Sequence, residues 1–173
     1  MQFKLRPIGH VETDANHEAL RHRLAVSRII IDGKFAAGLK RLQGFSHFYV
    51  LFLLHEAPKW GGWLTVHPKG RLDLGKVGVF ATRSPHRPNP IGLTLVKLLS
   101  RKGRILKVKG LDAYDGTPVI DLKPYDSHDS APRARVPLWL KKLERESKHA
   151  ECLNHRRSSR SAHRVGRFGS RTR

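Results

Sequence analysis

Eight short apolar runs rich in β-branched residues follow one another along the chain, and their close spacing constrains the fold more than any other feature. Runs of this kind, separated by turn signals, are typical of β-strands. They lie at residues 8–12, 24–31, 48–54, 62–66, 77–82, 91–99, 105–111 and 119–122. Between the sixth and seventh runs, Arg101-Lys102-Gly103-Arg104 predicts a hairpin turn in which Gly103 takes a positive φ. We therefore predict a mainly β protein built on an antiparallel sheet or barrel.

Two helices and a basic tail complete the predicted organisation. A short helix is expected near residues 36–42, and a second at about 137–149, where Pro137 suits a first helical position. Residues 154–173 contain seven arginines and no acidic residue. Such a segment cannot bury enough apolar surface to fold alone. The tail is therefore interpreted either as an RNA-contacting segment or as a solvated, dispensable extension.

The strongest local signal for function is the loop at residues 78–92. Three prolines stiffen it, because each fixes one backbone dihedral and removes a donor: Pro85, Pro88 and Pro90. Three polar side chains are presented on this frame: Arg83, Arg87 and Asn89. Preorganised guanidinium and amide groups suit a carboxylate, a phosphate or a nucleobase edge. The alternative is a structural turn with solvated arginines.

The charge of the chain favours a polyanionic partner. The sequence has 34 Lys and Arg against 14 Asp and Glu, a formal charge of +20, and RNA, DNA or an anionic membrane would each fit this excess. A membrane role for the tail is disfavoured because the tail lacks an apolar face. The N-terminus shows no apolar signal segment, and no run approaches the roughly 18 apolar residues that cross a bilayer. A cytoplasmic location is the default expectation.

Several classes of enzyme are disfavoured by missing motifs. The sequence has no GxGxxG after a strand, no GxxxxGK[ST] and no HExxH, which disfavours a Rossmann methyltransferase, a P-loop NTPase and a zincin. Cys152 is the only cysteine, so an internal disulfide and a CxxC motif are excluded. Eleven histidines occur without clear ligand spacing, and we predict no metal site.

Three blocks in order resemble the TsaA-like (TrmO) family of S-adenosylmethionine-dependent tRNA methyltransferases. In chain order, the first runs from Gly38 through Gly44-Phe45-Ser46-His47 to His55. The second is the loop at 78–92, and the third is the stretch DGTPVIDLKPY at residues 115–125. With the start at Pro7-Ile8-Gly9, the resemblance covers residues 5–137. It implies a small antiparallel β-barrel at 5–137. After this domain, the residues themselves predict a helix at 138–152 and a basic, disordered tail at 153–173.

The resemblance also implies a cofactor, a substrate and an assembly. The cofactor is S-adenosyl-L-methionine, held near the interface of a homodimer, and the substrate is tRNA. The acceptor is the exocyclic nitrogen of a threonylcarbamoyl-modified adenosine beside the anticodon. By resemblance the cofactor-binding positions are His55, Glu56, Arg83, Leu93, Asp112, Asp115, Gly116, Thr117 and Pro118.

Physical roles can be assigned to these positions as hypotheses. Arg83 would pair with the cofactor carboxylate, Asp112 or Asp115 would accept from its ammonium or ribose hydroxyls, and Leu93 would form an apolar wall for adenine. The candidates for assisting proton removal are Asp121 and Tyr125. The expected substrate-binding residues are Arg87, Asn89 and Lys123.

Structural alternatives stay open for three of these groups. Asp115-Gly116 is also an ordinary turn sequence. Asp121 and Lys123 fall on one face of an extended strand, where an internal ion pair explains them equally well. A lone histidine at the end of an apolar strand, such as His55, is more often a satisfied structural residue than a ligand.

One departure from the family pattern keeps a second function open. Residues 18–23 read Glu-Ala-Leu-Arg-His-Arg, where the family carries a Pro-Arg-Gln element. The leading prediction is an S-adenosylmethionine-dependent tRNA adenine methyltransferase. The alternative is a non-catalytic basic RNA-binding protein on the same barrel.

Overall fold

A computed structural model describes residues 4–147 of the chain. The chain divides into two compact units, with the boundary between Ser130 and Ala131. In the second unit, residues 138–147 are helical up to the end of the described range. The rest of the helix predicted at 138–152, and the tail predicted at 153–173, lie outside the described residues.

In the described part of the chain, eight strands form two antiparallel sheets. The strands are β1 (Gly9–Glu12), β2 (Val26–Ile31), β3 (His47–Leu53), β4 (Thr65–Val66), β5 (Val77–Gly78), β6 (Ile91–Lys102), β7 (Ile105–Lys109) and β8 (Pro118–Pro124). Six of them close a barrel in the order β1-β2-β7-β6-β3-β8, and β4 pairs only with β5. Every pairing is antiparallel. The predicted mainly β fold with a small antiparallel barrel is confirmed.

The barrel interior is filled by alternate residues of each strand, because successive side chains of a strand point to opposite faces. On β3 the inward side chains are Phe48, Val50 and Phe52, each at most 2% exposed. On β7 they are Leu106 and Val108, both fully buried. These residues belong to one apolar cluster that includes residues of the other barrel strands. The intervening side chains are left on the outer face of the barrel.

The hairpin between β6 and β7 matches its sequence signal. Lys102 pairs with Ile105, so only Gly103 and Arg104 form the turn. Gly103 has a φ of +59°, a conformation that glycine adopts without steric cost. The predicted hairpin is therefore confirmed.

Two sequence predictions are corrected by the structure. The strand predicted at 77–82 ends at Gly78, and Val79–Ala81 form a 3₁₀ turn closed by the bond from Thr82 N to Val79 O at 3.1 Å. The helix predicted at 36–42 is replaced by two 3₁₀ segments, Gly33–Leu39 and Leu42–Gly44. Arg41 separates them with a φ of +67°, which no helix residue can adopt.

A short helix, α1 (His17–Arg21), was not predicted. Its N-cap is Asn16, whose side-chain oxygen accepts from Ala19 N at 2.9 Å. Asparagine is among the favoured N-cap residues, so the signal was present in the sequence. The helix has only five residues, which is too short for hydrophobic periodicity to reveal it.

Residues 54–90 form a long excursion between β3 and β6, which are neighbours in the barrel. The excursion contains the small β4–β5 sheet and three 3₁₀ turns, Pro68–Gly70, Leu72–Leu74 and Val79–Ala81. Its base is held by the bond from Leu54 N to Pro90 O at 2.7 Å. A last 3₁₀ turn, Ser127–Asp129, follows β8. Within residues 4–147, no helix is long and apolar enough to cross a membrane.

Candidate functional site

An open pocket of about 230 Å³ lies where the excursion returns to the barrel. The excursion contributes two arginines to its wall, β3 and β6 contribute mainly apolar groups, and one carboxylate follows β7. The lining residues are Phe52, Leu54, Arg83, Arg87, Ile91, Gly92, Leu93, Thr94 and Asp112. Four residues singled out from the sequence therefore meet at one place: Arg83, Arg87, Leu93 and Asp112.

Arg87 braces the loop that precedes β6. Its Nε donates to Ser84 O at 2.8 Å, and its Nη2 donates to Thr82 O at 2.6 Å and to Val79 O at 3.2 Å. A planar guanidinium suits several carbonyls at once because its N–H groups form a rigid fork. Arg87 is half-buried, and three of its N–H contacts are made within the loop. The structure thus gives this predicted substrate-binding residue a positioning role.

Arg83 differs from Arg87 in having most of its donors free. Among the described residues its one hydrogen bond is a long one, from Nη1 to Leu93 O at 3.5 Å. Within residues 4–147 no carboxylate pairs with its guanidinium, and the side chain is exposed. An uncompensated guanidinium in a pocket wall is available to an anionic group of a ligand.

Asp112 is oriented by two neighbours. Its Oδ1 accepts a short hydrogen bond from the hydroxyl of Thr94, a residue only 1% exposed. Its Oδ2 lies 3.4 Å from Nη2 of Arg23. Arg23 belongs to the stretch at 18–23 that departs from the family pattern, so that stretch still places an arginine beside the pocket.

Gly92 is required by the packing of the pocket floor. A Cβ on Gly92 would lie 2.3 Å from the ring of Phe52, which is itself 2% exposed. The absence of a side chain at Gly92 thus lets this ring approach the backbone of β6. The pocket therefore has an aromatic and aliphatic floor with charged groups at its rim.

His55 and Glu56 lie directly after Leu54, outside the pocket lining. The Nδ1 of His55 lies 3.2 Å from the hydroxyl of Thr117, and its Nε2 lies 3.9 Å from Glu56 Oε1. Thr117 is 2% exposed. The contact between His55 and Thr117 joins the end of β3 to the start of β8.

The Asp115-Gly116 sequence forms the turn that was kept as an alternative. Thr117 N donates to Tyr114 O at 3.2 Å across the turn, and Gly116 has a φ of +72°. The Asp115 side chain accepts from Thr13 N at 2.9 Å. Pro118, the next predicted position, begins β8. None of these residues lines the pocket.

Asp121 and Lys123 on β8 form an ion pair, and Tyr125, directly after the strand, makes an aromatic contact. The Nζ of Lys123 lies 2.9 Å from Asp121 Oδ2, and Asp121 Oδ1 accepts from Leu122 N at 2.8 Å. The Asp121 carboxylate raises the pKa of Lys123 by hydrogen bonding and by charge attraction. Tyr125 packs edge-on against Tyr49 with a centroid separation of 5.8 Å.

Sequence reasoning missed much of the pocket wall. Phe52, Leu54, Ile91 and Thr94 line it but were not named as site residues. The sequence contained a signal for Thr94, because it is a polar residue within the otherwise apolar stretch at residues 91–96. Asn89, which was named, is exposed and contributes its carbonyl to Ile91 N at 2.8 Å. In residues 4–147 no group of three or more potential metal ligands comes together.

Comparison with known proteins identifies the family. A sequence model described as the tRNA-methyltransferase O N-terminal domain matches residues 12–130. The chain belongs to this family. The resemblance of the three sequence blocks to the TrmO family is thereby confirmed.

Individual relatives agree with the family match. A probable S-adenosyl-L-methionine-binding protein of Archaeoglobus fulgidus is 44% identical over 88% of this chain and 42% of its own. A tRNA (adenine(37)-N6)-methyltransferase of Escherichia coli is 46% identical over 52% of this chain and 40% of its own. The crystal structure of TrmO from Pseudomonas aeruginosa superposes with a TM-score of 0.62 at 31% identity, covering 78% of this chain and 61% of that one. The chain thus spans less than half the length of these two curated relatives.

Proposed function

We propose that this protein is an S-adenosyl-L-methionine-dependent methyltransferase that acts on an adenine of tRNA, with the cofactor held in the pocket at the base of the excursion. Membership of the TrmO family supports the activity. The names of its relatives support both the cofactor and the tRNA substrate. A barrel domain that spans residues 5–137 and a cytoplasmic location belong to the same proposal.

The uncompensated guanidinium of Arg83 is the observation that carries this assignment. The cofactor presents a carboxylate, an ammonium group, a ribose diol and an adenine. Arg83 would pair with the carboxylate, and Asp112, oriented by Thr94, would accept from the ammonium group or a ribose hydroxyl. Phe52 and Leu93 would cover the adenine. The donor set of the pocket therefore fits the group.

The size of the pocket favours a shared site. Its volume of about 230 Å³ is below the roughly 300–1,000 Å³ typical of ligand pockets. Leu93 and Ile91 at its rim are 48% and 37% exposed. We propose that a second copy of the chain covers this rim in a homodimer, which would enclose the rest of the cofactor. His55, Glu56 and the turn at 115–118 would complete the site beside the pocket.

Orientation accounts for most of the chemistry that the chain itself must provide. The bound cofactor supplies an electrophilic methyl group, and in-line displacement depends more on proximity and alignment than on a strong acid. Arg87 fixes the loop that carries Arg83, and Gly92 lets Phe52 form the floor. The acceptor nitrogen must also lose a proton. Asp121 and Tyr125 stay the two candidates for assisting the removal of this proton.

The proposed acceptor is the exocyclic nitrogen of threonylcarbamoyladenosine beside the anticodon. Bases of an anticodon loop can be splayed out and stacked, so no duplex has to be melted. Lys123 and Asn89 are both exposed and stay candidate substrate contacts.

Calorimetric titration of the full-length chain with S-adenosyl-L-methionine tests this proposal. We expect saturable binding that Arg83→Ala abolishes, because the cofactor carboxylate loses its partner. The matched control is Arg6→Ala, which removes an exposed arginine that lines no part of the pocket. A methylation assay on tRNA follows. Intact RNA binding without cofactor binding would overturn the proposal and leave the non-catalytic RNA-binding alternative.

A further inference from the structure

Three lysines cluster on the outer face of two neighbouring barrel strands, away from the pocket lining. Lys97 lies on β6, and Lys107 and Lys109 lie on β7; together they are called the lysine strip. All three are exposed. The residues between them on β7, Leu106 and Val108, are fully buried. Strand alternation therefore fixes the lysines on the solvent side.

The strand register places positive charges opposite one another. Lys97 pairs directly with Lys109 across β6 and β7, and Lys107 pairs with Arg28 across β7 and β2. Like charges directly opposite in an antiparallel pair are destabilising. Arg28 is compensated by Glu12 at 3.0 Å. No carboxylate in the described part of the chain pairs with the three lysines.

The fold gives no reason for this arrangement. Lysine is depleted in strands, and its common structural use in a sheet is to protect an exposed edge from pairing with another chain. β6 and β7 are interior strands of a closed barrel and have no free edge. A repulsive lysine pair on such strands therefore indicates that this face meets negative charge from outside the chain.

One lysine of the strip lies on a strand that also lines the pocket. Lys97 and Leu93 lie on the same face of β6, four residues apart, which corresponds to about 13 Å along a strand. An RNA chain with one base at the pocket rim would place neighbouring backbone phosphates within reach of the strip.

We propose that the lysine strip binds backbone phosphates of the tRNA next to the base that is presented to the pocket. The inference rests on the proposed function, because it takes tRNA as the substrate. Lysine suits this task as a compact cationic donor to phosphate oxygens. The strip adds affinity and orientation but reads no base sequence.

The test is tRNA binding by the full-length chain, measured by fluorescence anisotropy over a series of salt concentrations. The plot of log K against log salt has a negative slope, and each lost phosphate contact makes that slope shallower by about 0.7–0.9. Here a lower slope means a smaller absolute value. We expect Lys97→Gln/Lys109→Gln to lower the slope by about 1.4–1.8, with S-adenosyl-L-methionine binding unchanged. The matched control is Lys34→Gln/Lys40→Gln, which removes the same charge from residues outside the strip, and its slope should fall by less than 0.5.

A second variant separates binding from a structural role. Lys97→Glu places a carboxylate opposite Lys109, so an opposite-charge cross-strand pair replaces a repulsive one. We expect its melting temperature to equal or exceed that of the wild type while its tRNA affinity falls more than tenfold at low salt. A purely structural strip would give the higher melting temperature without the loss of affinity.

The outcomes distinguish a failure of the lysine strip from a failure of the proposed function. Wild-type protein that binds and methylates tRNA, together with strip and control variants of equal salt slope, would overturn the strip alone. Wild-type protein that binds neither cofactor nor tRNA would overturn the proposed function and the strip with it. A strip variant that loses binding to anionic lipid vesicles but keeps its tRNA slope would assign the strip to a membrane surface and refute the inference.

Discussion

Replacing Arg87 by alanine removes the brace of the loop that carries Arg83, and we expect this substitution to destabilise the protein. The guanidinium donates to the carbonyls of Ser84, Thr82 and Val79. The Val79 carbonyl also accepts from the Thr82 hydroxyl at 2.8 Å and from Thr82 N at 3.1 Å, so it keeps partners without Arg87. The loss therefore falls on two carbonyls.

The magnitude follows from those two hydrogen bonds. A hydrogen bond from a charged donor contributes about 1.5–3 kcal/mol, and a half-buried site belongs at the low end. We expect Arg87→Ala to lower the free energy of unfolding by about 3 kcal/mol. For a chain of this size, this corresponds to a melting temperature about 6–12 °C lower. Arg87→Lys should restore little of this loss, since lysine keeps the charge but not the planar fork.

Chemical denaturation with urea, followed by cofactor calorimetry, is the assay. Arg83→Ala is the matched control, and we expect it to change the free energy of unfolding by no more than about 0.5 kcal/mol because its contacts are few. The two substitutions should thus have different effects: Arg87→Ala lowers stability, and Arg83→Ala weakens cofactor binding. If Arg87→Ala unfolds like the wild type while Arg83→Ala is the less stable variant, the assignment of the brace is wrong.

Three further substitutions test the pocket and the turn beside it. Gly92→Ala should lower the free energy of unfolding by about 1–3 kcal/mol by overpacking against Phe52, and it should weaken cofactor binding. Thermal unfolding and calorimetry measure these two effects. Wild-type values would contradict the assigned packing. Thr94→Val should cost about 1 kcal/mol and lower cofactor affinity, because Asp112 loses the donor that orients it; calorimetry that shows unchanged affinity would exclude Asp112 as an oriented ligand. Gly116→Ala should cost about 1–2 kcal/mol, because alanine is strained at a φ of +72°; its melting temperature measures this, and an unchanged value would exclude that strain.

Local signals in the sequence predicted the barrel strands well. Gly103 between two apolar runs predicted the hairpin that joins β6 to β7. Val79 shows where such signals end. It continues an alternation with Val77, yet it lies in a 3₁₀ turn, because carbonyls there accept from Thr82 and from the distant Arg87.

The candidate site was predictable only in part, because its contacts join distant segments. The loop signature named Arg83, and the resemblance named Leu93 and Asp112, which share the pocket. The partner of Asp112 is Thr94, eighteen residues away along the chain and brought to it only by the barrel. Arg87 looked like a ligand-binding group because sequence shows its charge but not the carbonyls that occupy it. Only the three-dimensional structure distinguishes Arg87, which braces the loop, from Arg83, whose guanidinium is uncompensated.

The closure of the barrel also bears on how the chain folds during synthesis. β3 has no hydrogen-bonded partner until β6 begins at Ile91, and the edge of β1 stays open until β8 begins at Pro118. At about 5–20 residues per second, β3 waits roughly 2–8 s after its own synthesis. During that time an apolar strand with two free edges is open to pairing with another chain. Between the emergence of β3 and that of β6, the nascent chain is therefore exposed to association with other chains through β3.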